Sequence, residues 1–259
     1  MKHFFFVLRI ILLGLVFGPA PAQAPEPGRR SGYDDMSRET RAMQDDEMSN
    51  PGTLWVLDGE ALWKKPAGAA GKSCAGCHGD AAASMKGVAV RYPAFDARLG
   101  RPLNLAQRIN ACRTERQQAA PLAYESRELL ALNAYVGVQS RGMPIAPVVD
   151  GKTMPFIEAG REIFQRRQGQ LNISCAQCHD QYAGRKLAGN VLPQGHPTGY
   201  PMYRLEWQNL GSLERRLRNC MVGVRAEPYE AGSQQFVALE MFLMWRARGM
   251  KLETPAVRP

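Results

Sequence analysis

No stretch of this sequence is long and apolar enough for a bilayer span. The longest apolar run lies between Val7 and Phe17 and is broken by Arg9 and Gly14, whereas a spanning helix needs about 20 such residues. Nor is there a stripe of basic residues with interleaved aromatics, so the formal charge of +9 leaves no nucleic-acid footprint. Most of that charge suits a solvated surface, with an anionic substrate or acidic partner as its other use. Histidine is scarce, at four residues in 259, and cysteine nearly so, at six. In an exported chain six cysteines would ordinarily pair as three disulfides, but their spacing here excludes that.

The N-terminal apolar run fits a different role. Lys2 and Arg9 supply positive charge and Ala22-Gln23-Ala24 offers an A-x-A cleavage site, so residues 1–24 read as a secretory signal peptide. Its removal takes away two basic and no acidic residues, lowering the formal charge to +7 and leaving no membrane span.

Four of the six cysteines fall in two short runs, Cys74-Ala75-Gly76-Cys77-His78 and Cys175-Ala176-Gln177-Cys178-His179. C-x-x-C-H is the attachment signature of c-type haem. The two thiols add across the haem vinyl groups and the histidine becomes the proximal iron ligand. A single C-x-x-C could be a redox dithiol or half a zinc site. Two copies, each with histidine in the fifth place, predict two covalently bound c-type haems. Haem c on an exported chain implies the bacterial periplasm.

An internal repeat organises the rest. A shift of 101 residues lays Gly59 on Gly160, Trp63 on Phe164 and Cys74 on Cys175. A shift of 107 lays Ala131-Leu132 on Ala238-Leu239, Tyr135 on Phe242 and Arg141-Gly142-Met143 on Arg248-Gly249-Met250. Each unit reads as helix, haem motif, long loop region, apolar helix, Arg-Gly-Met. This resembles class I cytochrome c, in which a Gly and an aromatic on the first helix pack against an apolar pair on the last. Glycine permits close backbone approach and the ring fills the space beside it. The expected fold is therefore mainly α, with two tandem class I cytochrome c-like haem domains and an N-terminal extension. Pro144 to Pro155 holds three prolines and Gly151 and is the natural linker. The extension covers 25–52, the first haem domain 53–150 and the second 151–259. Within the extension Ser37 to Ser49 is expected to be helical, stopped by Asn50-Pro51-Gly52.

Each haem needs a sixth ligand unless it binds substrate directly. Met85, Met143, Met202 and Met250 are available, and His196 is the one spare histidine after the signal. Cys112 and Cys220 make the better case. They follow His78 and His179 by 34 and 41 residues, and in each setting an arginine, Arg108 or Arg216, stands four residues before the thiol. A thiolate ligates iron well and favours the ferric state. The alternative is a Cys112–Cys220 disulfide between the domains.

Taken together, both haem motifs, the Arg-x-x-x-Cys segment in each half, the N-terminal Gln44-Asp45-Asp46 with Asn50-Pro51-Gly52, the Asp58–Trp63 helix and the closing Leu239-Glu240…Trp245-Arg246-Ala247-Arg248-Gly249 resemble the SoxA family. Its members are dihaem subunits of the periplasmic SoxAX cytochrome complex. The resemblance covers nearly all of the chain beyond the signal. It implies an L-cysteine S-thiosulfotransferase that couples thiosulfate oxidatively to a cysteine of a SoxYZ-like sulfur-carrier protein. It further implies a SoxX-like monohaem cytochrome c subunit and an acceptor c-type cytochrome. By the same resemblance Cys220 is the active-site residue as well as an iron ligand and can hold an extra sulfur as a persulfide. Arg216 matches a substrate-binding arginine, with Arg248 as a second and Arg246 close behind. Thiosulfate is a small dianion whose sulfonate end suits guanidinium forks, so the chemistry is coherent on its own terms. Competing expectations are a thiosulfate dehydrogenase forming tetrathionate, a plain dihaem electron-transfer cytochrome that would not need Cys220, and a dihaem peroxidase, which would need an open iron site.

Overall fold

The computed structural model describes Met1 and residues 28–259; the signal peptide assigned to residues 1–24 lies outside the described residues. Ser37 caps the first helix, α1 (Arg38–Asp45), by accepting the Thr40 N–H at 3.2 Å, which satisfies a donor the helix itself leaves open. Helix α2 (Thr53–Lys64) takes in the Asp58–Trp63 segment and the apolar residues Leu54 to Leu57 before it. The first motif forms α3 (Cys74–His78), followed by α4 (Ala81–Ser84), the hairpin β1 (Ala94–Asp96) and β2 (Arg101–Leu103), α5 (Leu105–Cys112) and α6 (Arg127–Val138). The second half repeats the order: α7 (Met154–Gln165), the second motif, a small ribbon β3 (Lys186–Leu187) and β4 (Asn190–Val191), the hairpin β5 (Met202–Arg204) and β6 (Asn209–Gly211), then α8 (Leu213–Gly223) and α9 (Gln234–Arg246). The final strand β7 (Ala256–Arg258) pairs parallel to β5.

The helix crossings expected from the repeat are present. A Cβ on Gly59 would lie 2.2 Å from the Ala131 carbonyl oxygen, and one on Gly160 would lie 2.1 Å from that of Ala238. Only glycine lets α2 meet α6, and α7 meet α9, at that spacing. Beside these contacts the Trp63 and Tyr135 rings stand 5.9 Å apart and those of Phe164 and Phe242 5.3 Å apart.

The repeat runs further than those helices. Tyr92-Pro93 and Tyr200-Pro201 open the two larger hairpins, and both prolyl bonds are cis. Ala94 faces Leu103 in one hairpin and Met202 faces Gly211 in the other, so a shift of 108 residues matches them position by position. The units then diverge after their cysteines. In the first, α5 widens into a π turn over Arg113–Gln117. In the second, α8 continues to Gly223. Both end on a left-handed residue, Gln118 (φ 54°) and Arg225 (φ 57°), so the π turn absorbs the one extra residue of the first unit.

Backbone pairing joins the halves. The two Arg-Gly-Met segments form an antiparallel ribbon: Gly142 N–H donates to Leu252 O at 2.8 Å, Leu252 N–H to Met143 O at 2.9 Å, and Ile145 N–H to Met250 O at 2.8 Å. The N-terminal extension clasps the C-terminal strand, with Asn50 Nδ2 donating to Pro255 O at 3.0 Å and Val257 N–H to Gln44 Oε1 at 3.1 Å. Two core clusters cross between the halves: Trp55, Leu130, Ala131, Tyr203, Leu210 and Val257 in one, Val90, Ile145, Met244, Met250 and Leu252 in the other. Polar groups cross as well. The Asn104 side-chain amide donates to Glu214 at 3.0 Å and Glu240 at 3.2 Å, beside a cavity of about 90 Å³ that both acids line with Tyr92, Tyr124 and Tyr200. Burial is the main reason the Glu214 carboxyl is pushed up to about 6 and the Glu240 carboxyl to about 8.

Candidate functional site

The first motif sits on α3, capped by Ser73, whose hydroxyl accepts the Gly76 N–H at 2.9 Å. The Trp63 ring lies 5.6 Å from the His78 ring, and its Nε1–H donates to Gly79 O at 3.0 Å, so the helix crossing also aligns the motif. Gln117, from the π turn, donates to Lys72 O at 3.0 Å and reaches the Cys74 sulfur at 3.8 Å. Cys112, at the end of α5, is half-buried close to Cys74 and Cys77. Burial raises its thiol, and Arg108 opposes this only in part.

The second motif is built alike, with Cys175 and Ala176 packed on a cluster of Ile157, Phe164, Leu213 and Phe242. His179 Nδ1 stands 2.7 Å from Pro193 O. Donation to that carbonyl fixes the tautomer and leaves Nε2 free for a metal, the orientation a proximal ligand needs. Cys220, near the end of α8, is half-buried beside Cys175, Cys178 and His179. Burial pushes its thiol up, but His179, Arg216 and Arg204 outweigh that and lower it below the usual thiol value. The two spare cysteines therefore differ: the surroundings of Cys220 favour a thiolate and those of Cys112 do not.

No two of the six cysteines are joined in a disulfide, and each spare one lies beside its own motif, so a Cys112–Cys220 disulfide is absent. Three of the methionines have other places. Met143 packs against Gly87, Met202 is buried in β5 and Met250 in the inter-half core. Met85 stays near the first motif. His196 has its Nδ1 2.8 Å from Arg30 O. Paired motif thiols, an aligned histidine and a facing thiol fit a c-type haem in each unit.

The arginines separate the units more sharply. Arg108 pairs with Asp96 at 2.5 Å; burial works against its charge, and the bonds to Asp96 and Tyr92 more than restore it. Among the described residues no carboxylate reaches Arg216 within salt-bridge distance. Its neighbours are Tyr200, Cys220 and a second guanidinium, Arg204. Arg204 is a neighbour of Cys220 that sequence reasoning did not single out; the signal was present in the Tyr-Pro hairpin repeat. The Arg248 guanidinium stacks 4.3 Å from the Trp245 ring centroid and donates to Trp245 O at 2.8 Å. Arg246 pairs with Asp180 at 2.6 Å. Both line a pocket with His179 and Trp245 that also holds Arg29 and His196.

A sequence model described as the cytochrome c domain of SoxA/TsdA matches residues 58–145 and again 159–252, the two units just described. The chain belongs to the SoxA/TsdA cytochrome c family. The SoxA subunit of an L-cysteine S-thiosulfotransferase from Pseudaminobacter salicylatoxidans is 40% identical over 92% of this chain and 84% of its own length. The equivalent subunit from Rhodovulum sulfidophilum is 38% identical over 88% and 80%. Among solved structures, SoxXA from P. pantotrophus superposes with a TM-score of 0.86 at 34% identity, covering 89% of this chain and 87% of that one. Family membership makes the cofactor covalent c-type haem with iron and confirms the mainly α fold of two cytochrome c units.

Proposed function

We propose that this chain is the SoxA subunit of an L-cysteine S-thiosulfotransferase, joining thiosulfate to a cysteine of a sulfur-carrier protein, with Cys220 as the reacting residue. The observation that supports this most is the asymmetry of the two units. Beside Cys220 stands Arg216, a helix arginine with no carboxylate partner among the described residues, whereas its counterpart beside Cys112, Arg108, is closed by Asp96. The relatives' names and the SoxXA structure support a SoxX-like monohaem cytochrome as partner. A SoxYZ-like carrier, an acceptor c-type cytochrome and the periplasm complete the proposal. No helix among the described residues is long and apolar enough to cross a membrane.

Cys74, Cys77, Cys175 and Cys178 would hold the haems, with His78 and Cys112 on one iron and His179 and Cys220 on the other. When bound, the haems supply one-electron acceptors. The net reaction bonds the outer sulfur of thiosulfate to the carrier's cysteine sulfur and releases two electrons and the thiol proton. Arg216 holds the sulfonate end by charge-assisted hydrogen bonds. The Cys220 sulfur and the outer sulfur of thiosulfate form an S–S bond as two electrons leave. The carrier thiolate then attacks that outer sulfur, and the Cys220 thiolate departs as leaving group by exchange. Product analysis tests the reading. With a carrier protein present, the carrier should gain one thiosulfonate group per two electrons passed to a cytochrome. Tetrathionate as the product, with or without carrier, would replace this reading by that of a thiosulfate dehydrogenase.

A further inference from the structure

The two hairpins that feed the cysteine helices carry opposite charges at one equivalent position. Asp96 is the last residue of β1 and Arg204 the last residue of β5, and each lies four residues after the tyrosine of a Tyr-Pro pair. The registers agree, with Asp96 facing Arg101 and Arg204 facing Asn209. Downstream, Arg108 and Arg216 occupy matching places four residues before their cysteines. In the first unit the strand-end acid therefore neutralises the helix arginine, at 2.5 Å. In the second the strand-end residue is itself an arginine.

Little compensates the second pair. Arg204 is only 9% exposed, and its Nε has no hydrogen-bond partner. One of its terminal nitrogens meets Glu206 at 2.9 Å, a carboxylate half open to solvent and thus well screened. The Arg204 guanidinium lies 5.2 Å from the Trp207 ring centroid, and Arg215 lies 4.4 Å from the same ring, which holds the strand end in place. A buried donor left unpaired beside a second free guanidinium is costly unless an anion completes it.

We propose that Arg204 is a substrate-binding residue that, with Arg216, forms a two-guanidinium cradle for the sulfonate end of thiosulfate beside Cys220. This rests on the thiosulfotransferase reading and sharpens it. Bringing a dianion against a thiolate gathers three negative charges, and one guanidinium leaves most of that repulsion unopposed. Two planar forks can share the three sulfonate oxygens and leave the outer sulfur directed at Cys220. The first unit lacks this cradle because Asp96 fills its place.

The test uses the holoenzyme with its haems and partner cytochrome. Arg204→Asp rebuilds the neutral pair of the first unit, while Arg204→Gln and Arg204→Lys remove or keep the charge. Thiosulfate binding to the oxidised protein is followed by calorimetry, and carrier-dependent turnover is split into KM and kcat. The expected result is a rise of about tenfold or more in thiosulfate Kd and KM for Asp and Gln, with Lys between them and wild type. The second haem's spectrum should persist in all three; if Asp loses that haem, Gln and Lys decide. Unchanged Kd and KM would overturn the proposal. So would a change confined to the second haem's midpoint potential, since Arg204 would then serve the haem. A wild-type protein that binds thiosulfate but passes none to a carrier would instead refute the thiosulfotransferase reading on which the cradle rests.

Discussion

The contrast between Arg108 and Arg216 carries most of the chemistry at the scale of single residues. Each stands four residues before a thiol, yet one is closed by Asp96 and the other meets Arg204. Arg216→Ala should therefore lower kcat/KM for thiosulfate by roughly 10- to 100-fold, the effect of losing a charge-assisted bond to substrate. Arg108→Ala should change it by less than about twofold. Steady-state rates of the two variants decide this, and equal losses would contradict it. A second residue-scale expectation concerns Glu214 and Glu240. Their carboxyls are raised to about 6 and about 8, against about 4.3 in an unfolded chain. The folded state binds their protons more tightly, so their contribution is fully present at acid pH and is lost as pH rises through about 8. The melting temperature of the wild type should fall more steeply between about pH 4 and pH 8 than that of Glu240→Gln, whose amide stays neutral. Parallel melting curves for the two proteins would show that the pair does not carry this dependence. The haem motifs were legible in sequence because their spacing defines them, and the Arg-x-x-x-Cys segments stood out by their matching places in the repeat. Arg204 did not, since a strand-end arginine finds its counterpart only once the hairpins are aligned.

Among the elements, the crossed helix pairs were readable from Gly59 with Trp63 and Gly160 with Phe164, because close backbone approach admits no other residue. The hairpins were not. Their strands are three residues each, too short for an alternating apolar pattern to emerge. The π turn after Cys112 was equally hidden, as it follows from a one-residue difference between the units. Glycine at the crossings gives a sharp expectation. Gly160→Ala would put a methyl 2.1 Å from the Ala238 carbonyl oxygen and should cost at least about 3 kcal/mol in unfolding free energy, at the upper end for overpacking. Chemical denaturation checks this. A loss below about 1 kcal/mol would mean that α7 can move off α9 and that the crossing is looser than its geometry implies.

For the whole molecule, two units of one fold share a core, a ribbon of Arg-Gly-Met segments and a clasp between the N-terminal extension and β7. The repeat predicted the units, but the clasp joins residues more than 200 positions apart, beyond any local pattern. Arg246 and Arg248 could not be placed from local pattern either: folding sets both in the pocket that His179 lines. The proposed function divides the labour between the units. One unit has an arginine closed by Asp96 and a raised thiol, the other an arginine, Arg216, without a carboxylate partner among the described residues, and a lowered thiol. Carrier-dependent thiosulfate oxidation by Cys112→Met and Cys220→Met, each first shown to keep both haems, tests that division most directly. Methionine keeps a sulfur ligand for iron in both variants and removes the thiol. Cys112→Met should retain turnover within a few-fold, with an altered ferric EPR signal from the first haem, while Cys220→Met should lose about a thousandfold or more. Near-normal turnover in Cys220→Met, or equal losses in both, would contradict the assignment of the chemistry to the second unit.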